Sequence, residues 1–191
     1  MDRTPRRIPL LGLAGCRRIA IVGTTGAGKT TLATQLARHL GMQRIELDAL
    51  HWGPNWTPAP REQFRAGVDA ATSAPAWVAD GNYGAIRDLL WPRADTIVWL
   101  DYPLAVNLWR LTRRNLGRIV RREELWHGNR ESFRSQFFDR DSLYVWAVRS
   151  HGRHRREWSA LFAGGGYPHL AVVRLRSPGS TRRWLARVTG G

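Results

Sequence analysis

A glycine-rich segment near the start of the chain has the residue types and the spacing that bind phosphate groups. Residues 23–30 read Gly-Thr-Thr-Gly-Ala-Gly-Lys-Thr and fit the pattern G-x-x-x-x-G-K-[ST], with a β-branched run before them and a helical pattern after them. Glycines permit backbone conformations that aim successive N–H groups at a phosphate, and a helix that starts near Lys29 adds the positive end of its dipole. This phosphate-binding loop (P-loop) predicts nucleotide binding.

The lysine and the hydroxyl group that end this loop have separate predicted roles. We expect Lys29 to reach the β- and γ-phosphates of ATP and the hydroxyl group of Thr30 to ligate Mg²⁺. Lys29 is the only lysine among the 30 basic residues, which indicates a position that needs a compact ammonium group. The guanine-reading pattern Asn-Lys-x-Asp is absent from the sequence, so ATP is the expected nucleotide. The predicted nucleotide-binding residues of the loop are Gly23, Thr24, Thr25, Gly26, Ala27, Gly28, Lys29, Thr30 and Thr31.

Aspartates at the ends of predicted strands supply carboxylates for the same site. Asp48 follows the second predicted strand, Asp80 the third and Asp101 the fourth, and the carboxyl ends of parallel strands face the ligand crevice. We favour Asp80, which Gly81 follows, as the Mg²⁺ carboxylate, whereas Asp101 stays open between this role and a structural one. Asp48 can accept the proton of an attacking hydroxyl group or bind the acceptor, with a helix N-cap as the alternative.

Arginines at helical spacing and a group of aromatic residues are further candidates. Arg110, Arg113 and Arg114 share one face of a predicted helix because they stand at i, i+3 and i+4. Guanidinium groups stabilise the negative charge of a phosphoryl group in transfer, so we expect two or three arginines of this region to act in this way and the rest to form a solvated face. His51, Trp52 and Trp56 follow Asp48, where aromatic rings either wall an acceptor pocket or pack in the core.

The distribution of apolar residues predicts strands that alternate with helices. The predicted strands are 18–22, 44–47, 76–79, 96–100 and 170–175, and the predicted helices are 30–40, 61–72, 85–90, 104–116 and 180–188. The charged residues 118–156 are predicted to be helical in pieces. Because alternating strands and helices form right-handed βαβ units, we predict an α/β fold with a parallel sheet and helices on both faces.

Length and composition are those of one globular domain. With 191 residues, of which 43% are hydrophobic, the chain can bury one α/β core. We assign residues 18–191 to a single domain that follows a flexible basic arm at 1–17. No apolar run approaches the roughly 18 residues that cross a bilayer, so we expect a cytoplasmic protein without a membrane partner. The single cysteine excludes an intrachain disulfide.

The formal net charge of +15 has two interpretations. A surface of this kind attracts polyanions such as nucleic acid, anionic lipid or phosphorylated small molecules. A genome composition that favours arginine codons produces the same excess of arginine. The basic residues are spread over most of the chain and no recognised nucleic-acid-binding module is present, so nucleic acid is a possible partner that we do not favour.

The order of these motifs resembles that of the adenylate-kinase-like P-loop kinases. The resemblance rests on the P-loop, Asp80-Gly81, residues 94–103 and the pair Arg110 and Arg114. More narrowly, Leu-Asp-Ala-Leu-His-Trp from residue 47, Trp-Val-Ala-Asp-Gly-Asn-Tyr from residue 77 and Arg-Leu-Arg-Ser from residue 174 resemble a bacterial group of small kinases called topology-modulation (FlaR-like) proteins. The resemblance covers residues 18–188. It implies a three-layer P-loop NTPase fold, a five-stranded sheet of order 2-3-1-4-5 and a helical lid at about 117–140.

The resemblance also implies roles for individual residues. It makes Asp80 the acidic residue near Mg²⁺, Arg110 an arginine that packs on the nucleotide base and phosphates, and Arg114 one that grips the phosphates. It further implies Arg130 as the arginine that closes with the lid and Arg176 as a nucleotide contact. The acceptor site then comprises Asp48, Trp52, Asp80, Tyr83 and Arg87, with Arg87 where the monophosphate kinases hold the acceptor phosphate.

This chain departs from the adenylate kinases after the third strand. They carry Asp-Gly-Phe-Pro-Arg there, whereas this sequence has Asp-Gly-Asn-Tyr-Gly at residues 80–84, and the nearest arginine is displaced to Arg87. Residues 48–56 also differ from a standard AMP-binding segment. These departures weaken the expectation of AMP as the acceptor.

The sequence therefore predicts an ATP-dependent phosphotransferase that acts on a small acceptor: a nucleotide, a nucleoside or another hydroxylated metabolite. The predicted catalytic residues are Lys29, Asp48, Arg110, Arg114 and Arg130. One alternative is a nucleic-acid-binding protein switched by ATP, whose binding would fall steeply with salt. The other is a P-loop ATPase that acts as an interaction module, which would hydrolyse ATP slowly without an acceptor.

Overall fold

A parallel five-stranded sheet forms the centre of the fold. The computed structural model describes residues 15–121, 124–129 and 142–190. The strands are β1 (Arg18–Gly23), β2 (Gln43–Glu46), β3 (Trp77–Asp80), β4 (Thr96–Leu100) and β5 (Ala171–Leu175). They stand in the order β2-β3-β1-β4-β5 with every pairing parallel, which confirms the predicted topology.

Helices cover both faces of this sheet. The α-helices are α1 (Lys29–Leu40), α2 (Leu47–His51), α3 (Arg61–Thr72), α4 (Arg87–Arg93), α5 (Leu104–Arg121), α6 (Leu143–Ala163) and α7 (Pro178–Val188). Short 3₁₀ turns lie at Pro54–Trp56, Gly84–Ile86 and Trp126–Gly128. None of these described helices is long and apolar enough to span a membrane.

The alternation of side chains along β1 divides the core into two layers. Ile19 and Ile21 pack on one face with residues of α1 and α7. Ala20 and Val22 pack on the other face with residues of α3, α4 and α6. All four side chains are buried, as expected for a central parallel strand that is covered on both sides. The strand therefore fixes the position of the P-loop that follows it.

Several elements differ in extent from the prediction. The predicted strand 44–47 ends at Glu46, because Leu47 starts α2 and buries its side chain in the core. The predicted helix 104–116 continues to Arg121. Within the charged segment 118–156, one continuous helix begins at Leu143, where the side chain of Ser142 accepts a hydrogen bond from the backbone of Val145.

Two predicted segments lie largely outside the described residues. Of the predicted arm 1–17, residues 15–17 are described, and the backbone N–H of Arg17 donates to the carboxylate of Asp95 over 2.7 Å. Of the predicted lid 117–140, residues 117–121 extend α5 and residues 124–129 contact the segment after α2. The assignment of a lid stays a prediction.

Candidate nucleotide and acceptor site

The P-loop is a tight turn that joins β1 to α1 and is packed against α5. Gly26 and Gly28 have φ angles of 85° and 93°, in the left-handed region that favours glycine. A side chain at Gly26 would collide with the backbone carbonyl group of Asn107, and a Cβ atom at Gly28 would lie 2.7 Å from the guanidinium group of Arg110. Both glycines are therefore required for the backbone to fold this closely. The nine predicted nucleotide-binding residues run from the last residue of β1 through this turn to the start of α1.

Two residues that the sequence did not single out hold the start of this loop. The side chain of Asn82 accepts a hydrogen bond of 3.1 Å from the backbone N–H of Gly23 and donates one to the carbonyl group of the same residue. On the other side, the hydroxyl group of Thr24 is 3.0 Å from Nδ1 of His151 on α6. Asn82 follows a glycine at a strand end, and that position is the one signal in the sequence that points to it.

The side chain of Lys29 is held inside the loop. Its ammonium group donates to the carbonyl oxygen of Gly23 over 2.9 Å and lies 3.5 Å from that of Thr24. Burial lowers the pKa of Lys29, and the carboxylates of Asp48 and Asp80 oppose this shift. The ammonium group therefore lies within electrostatic range of both predicted carboxylates.

Thr30 and Asp80 meet directly below the loop. The hydroxyl group of Thr30 donates to Oδ2 of Asp80 over 2.7 Å, and the carboxylate is 4% exposed. Oδ1 of Asp80 accepts no hydrogen bond among the described residues, and Nε of Arg44 is 3.7 Å from it. Burial raises the pKa of Asp80, while Thr30 and Arg44 counteract the shift. Sequence reasoning missed Arg44, because its position in β2 carries no recognisable motif.

These groups fit a magnesium ion. Oδ1 of Asp80 has an ion pair with Arg44 at 3.7 Å and no hydrogen bond among the described residues, so a lone pair of this oxygen is left for a metal ion. Mg²⁺ is bound by one or two carboxylates together with substrate phosphates, rather than by a cage of protein ligands. The described part of the chain contains no cluster of three or more His, Cys, Asp and Glu residues that could hold a metal ion. Thr30 and Asp80 are the residues that would hold the ion.

Asp48 lies in the first turn of α2 and is bound by Tyr83. The hydroxyl group of Tyr83 donates to Oδ1 of Asp48 over 2.6 Å. Asp48 does not act as the cap of α2, because the N-cap residue is Glu46. The structure therefore brings two predicted acceptor-site residues together at the end of the sheet that carries the P-loop.

The ring of Tyr83 belongs to a cluster of aromatic side chains. The ring of His51 packs against those of Trp52, Phe64 and Tyr83, with centroid distances of 4.7, 5.0 and 4.5 Å. Burial lowers the pKa of His51, so its imidazole is neutral at neutral pH. The tyrosine that binds Asp48 thus packs in a cluster of flat rings.

The aromatic cluster continues to the segment at 124–129. Trp52 contacts Trp56, and Trp56 contacts Trp126, with centroid distances of 5.9 and 6.3 Å. Asn129 fastens this contact, since its amide donates to the carbonyl group of Gly53 over 2.9 Å and accepts from the backbone N–H of Trp56 over 3.1 Å. The aromatic cluster therefore joins the residues that follow α2 to the segment 124–129.

The predicted arginines occupy different positions around the loop. Nε of Arg110 donates to the carbonyl oxygen of Gly26 over 3.2 Å. Arg114 lies one turn further along α5, and its charge contributes to the lowered pKa of Lys29. Arg176 is exposed and directly follows the carboxyl end of β5, the end of the sheet at which the P-loop follows β1. Arg130 lies outside the described residues, and its role stays a prediction.

Arg87 is the first residue of α4 and is already paired. Its guanidinium group forms an ion pair with Glu157 of α6 and lies over the ring of Trp91, 5.0 Å from the centroid. Arg87 also lines a small cavity, together with Asn82, Tyr83 and mainly apolar residues such as Trp158. Arg87 and Tyr83 thus line the same cavity, and their assignment to an acceptor site stays a prediction.

Asp101 has structural partners. Its Oδ2 accepts hydrogen bonds of 2.9 and 2.6 Å from Nε and a terminal nitrogen of Arg174, and its Oδ1 is 3.4 Å from Nε of Arg155. Arg174 in turn lies over the ring of Trp99, 4.2 Å from its centroid. The sequence left Asp101 open between a role in Mg²⁺ binding and a structural role, and these contacts favour the structural role.

Solved structures of two bacterial kinases are similar to this chain over most of its length. The shikimate kinase of Acinetobacter baumannii, in complex with shikimate, has 18% sequence identity and a TM-score of 0.55, and the match covers 90% of each chain. The shikimate kinase of Bacteroides thetaiotaomicron has 18% identity and a TM-score of 0.51, over 91% of this chain and 96% of the other. No family model and no curated protein matches the chain, so the narrower resemblance to the topology-modulation group stays a prediction. The chain therefore has the three-layer P-loop kinase fold that its sequence predicted.

Proposed function

We propose that the chain is an ATP-dependent phosphotransferase that transfers the γ-phosphoryl group to a hydroxyl group of a small acceptor. The observation that carries this proposal is the contact between Thr30 and Asp80 below the P-loop, where a buried carboxylate keeps one oxygen without a hydrogen bond. A loop that binds phosphates, a hydroxyl group and a carboxylate are the parts that phosphoryl transfer needs on the nucleotide side.

On the nucleotide side, the chain supplies backbone N–H groups, an ammonium group and guanidinium groups. The N–H groups of the loop would donate to a bound phosphate, and the N-terminus of α1 would contribute its partial positive charge. Lys29 would exchange its contacts with the loop carbonyl groups for the β- and γ-phosphates. A magnesium ion held by Thr30 and Asp80 would supply the charge that neutralises the phosphate oxygens. Arg110 and Arg114, and Arg130 by prediction, would stabilise the transferring group.

On the acceptor side, Asp48 is the residue that receives the proton. The acceptor oxygen forms a bond to the γ-phosphorus, the bond from that phosphorus to the bridging oxygen breaks, and ADP leaves. The proton of the acceptor hydroxyl group passes to the carboxylate of Asp48, whose orientation is fixed by Tyr83. Trp52, Tyr83 and Arg87 complete the acceptor site, and the aromatic rings near Asp48 suit an acceptor with a flat or apolar portion.

The fold supports this proposal without deciding the acceptor. Two structures that share the fold are shikimate kinases, and one of them contains shikimate, a small hydroxylated molecule. The motifs at residues 47–52 and 77–83 support, by resemblance, a place among the topology-modulation group of small kinases.

The test is ADP release from ATP and Mg²⁺, measured with wild type and Lys29→Ala against nucleosides, nucleoside monophosphates and other hydroxylated metabolites. We expect one acceptor class to stimulate ADP release in wild type, and the stimulation to be lost in Lys29→Ala. Far-UV circular dichroism and a thermal melt establish that the variant is folded. Slow release that no acceptor stimulates would contradict the proposal and favour an ATPase.

A further inference from the structure

The carbonyl group of Gly23 receives two side-chain donors that come from different parts of the chain. The ammonium group of Lys29 donates to this oxygen over 2.9 Å from within the P-loop. The side-chain amide of Asn82 donates to the same oxygen from the segment after β3. Gly23 is buried at the end of β1, where its backbone polar groups need partners within the protein. Two donors therefore share one acceptor at the start of the loop.

Asn82 continues the sheet beyond the end of β3. Ile21 pairs with Asp80, the last residue of β3, and the carbonyl group of Ile21 accepts from the backbone N–H of Gly81. The hydrogen-bonding groups of a central strand point alternately to its two neighbours, so those of Gly23 point to the same side as those of Ile21. There Oδ1 of Asn82 accepts from the N–H of Gly23 over 3.1 Å, and Nδ2 donates to its carbonyl group. One side-chain amide thus replaces the two backbone groups that β3 no longer supplies.

ATP binding would change the partners of this carbonyl group. In the proposed reaction, Lys29 exchanges its contacts with the loop carbonyl groups for the β- and γ-phosphates. A buried carbonyl group that loses its donor costs free energy, and this cost would be subtracted from the binding of ATP. With Asn82 in place, the carbonyl group of Gly23 keeps a donor after Lys29 has left it.

We propose that Asn82 is a positioning residue of the nucleotide site: it holds Gly23 and keeps the carbonyl group of Gly23 bonded when Lys29 turns to the phosphates. This inference rests on the proposed phosphotransfer and adds a residue to its nucleotide side. A neutral amide suits the position because it carries an acceptor and a donor on one planar group. A carboxylate would still accept from the N–H of Gly23, but it could not donate to the carbonyl group and would attract the ammonium group of Lys29.

The experiment measures nucleotide affinity without an acceptor. The probe is adenylyl imidodiphosphate, a non-hydrolysable analogue of ATP, titrated with Mg²⁺ in a calorimeter. We expect Asn82→Ala to raise the Kd by about tenfold, because the carbonyl group of Gly23 then has neither side-chain donor in the bound state. Asn82→Asp should raise the Kd further, because its carboxylate retains Lys29 at the loop. A Kd equal to that of wild type in both folded variants overturns the inference.

A double variant tests whether Asn82 acts through Lys29. In Lys29→Ala, no ammonium group leaves the carbonyl group of Gly23 when the nucleotide binds. Addition of Asn82→Ala to Lys29→Ala should therefore change the Kd by less than about twofold. An equal loss in both backgrounds would mean that Asn82 supports the loop independently of Lys29, and it overturns the inference. If Lys29→Ala binds too weakly to titrate, equal Kd values in Asn82→Ala and Asn82→Asp overturn it instead.

Asp95→Ala is the matched control for stability. Oδ2 of Asp95 accepts from the backbone N–H groups of Arg17 and Arg18 over 2.7 and 2.8 Å, so Asp95 holds the start of β1 as Asn82 holds its end. Asp95→Ala and Asn82→Ala each remove two hydrogen bonds to the backbone at one end of this strand, and we expect both to lower the Tm. Asp95→Ala should leave the Kd unchanged. An equal loss of affinity in the two variants would assign the effect to stability and overturn the inference.

Kinetics distinguish the role of Asn82 from the roles of its neighbours in the sequence. Asp80 contacts Thr30 and Tyr83 contacts Asp48, so a general displacement of this segment would lower kcat. Loss of an interaction that is made equally in the bound state and in the transition state raises KM and leaves kcat unchanged. We expect Asn82→Ala to raise the KM for ATP by about tenfold, with kcat within about twofold of wild type. A lower kcat at an unchanged KM would contradict the inference.

The outcomes separate this inference from the proposed function. If the Asn82 variants bind nucleotide as expected but no acceptor stimulates ADP release, the inference stands and the phosphotransferase is overturned. If an acceptor stimulates ADP release but the Asn82 variants bind nucleotide as wild type does, the inference is overturned and the proposed function stands. A wild-type protein that binds no ATP overturns both.

Discussion

The hydroxyl group of Tyr83 donates a 2.6 Å hydrogen bond to Oδ1 of Asp48, and this contact joins the segment after β3 to the first turn of α2. Burial raises the pKa of Tyr83, and the neighbouring charge of Asp48 adds to the shift. The phenol is therefore protonated at neutral pH and donates the hydrogen bond. The contact fixes one carboxylate oxygen of Asp48. If Asp48 serves the acceptor as proposed, Tyr83 is the residue that positions it.

Removal of this hydroxyl group should lower turnover without weakening ATP binding. Hydrogen bonds to charged groups contribute about 1.5–3 kcal/mol, so we expect Tyr83→Phe to reduce kcat by about tenfold or more. Tyr144→Phe is the matched control, because the hydroxyl group of Tyr144 contacts Thr112 over 3.2 Å and not Asp48. Steady-state kinetics and an ATP titration measure both effects. An unchanged kcat in Tyr83→Phe would show that the hydrogen bond has no part in orienting the carboxylate.

Substitution of Asp48 itself tests its assignment to the acceptor. General-base catalysis contributes about 10²–10⁴-fold, so Asp48→Asn should lower kcat by that factor, while the Kd for ATP changes little. Asparagine keeps the size of the side chain and can still accept from Tyr83, which limits structural damage. The measurement is single-turnover phosphoryl transfer beside equilibrium ATP binding. A variant that binds ATP poorly but turns over bound substrate at the normal rate would contradict the role.

Asp80 should show opposite effects on stability and on activity. Its pKa in the folded protein is raised, chiefly by burial, so the folded state binds this proton more tightly than the unfolded state does. Stability is then lost as the pH rises through the folded pKa, and the ionised carboxylate destabilises the protein at neutral pH. We expect Asp80→Asn to raise the Tm at pH 7 in the absence of nucleotide and to abolish turnover that depends on Mg²⁺.

The control for this experiment is an aspartate whose pKa is shifted in the other direction. The hydrogen bond from Arg65 lowers the pKa of Asp88, so the ionised form of Asp88 is favoured by folding, and its stabilisation is lost as the pH falls through the folded pKa. Asp88→Asn should therefore not raise the Tm at pH 7. If Asp80→Asn lowers the Tm as well, the free energy gained from Thr30 and Arg44 exceeds the cost of burial, and the explanation from desolvation is wrong.

Much of the fold could be predicted from local patterns in the sequence. The spacing of residues 23–30 and the β-branched run before them determined β1, the loop and α1, since glycine conformation and helix dipole act within a few residues. The sheet order came from resemblance, because the spacing of strands along the chain does not specify which strands are neighbours. The end of β2 was misplaced because Leu47 is apolar in either a strand or a helix, and only its burial in the core distinguishes them.

The site was predictable only where one segment carries the signal. Asp48 and Asp80 follow predicted strands, and this position made them candidates. The partner of Arg87 was not, because Glu157 is 70 residues away and its carboxylate looks like any other on a charged helix. The hydrogen bond between Gly23 and Asn82 was not predictable either, because these residues are 59 positions apart in the sequence. Contacts between distant segments depend on how the helices pack, which a single sequence does not encode in any local pattern.

The last prediction distinguishes Asp101 from Asp80. The side chain of Asp101 is 2% exposed and binds Arg174 with two hydrogen bonds, while Arg155 is 3.4 Å from its other oxygen. Loss of one partner from a buried ion pair costs about 3–5 kcal/mol, and we expect less here because Arg174 and Arg155 are 30% and 51% exposed. Asp101→Asn should lower the free energy of unfolding by about 2 kcal/mol, and Arg174→Gln should do the same.

Chemical denaturation measures this loss of stability. A Mg²⁺ titration of turnover supplies the contrast, since half-maximal turnover should need the same Mg²⁺ concentration as in wild type. An Asp101→Asn protein of normal stability whose Mg²⁺ requirement rises several-fold would instead make Asp101 the carboxylate that serves the metal.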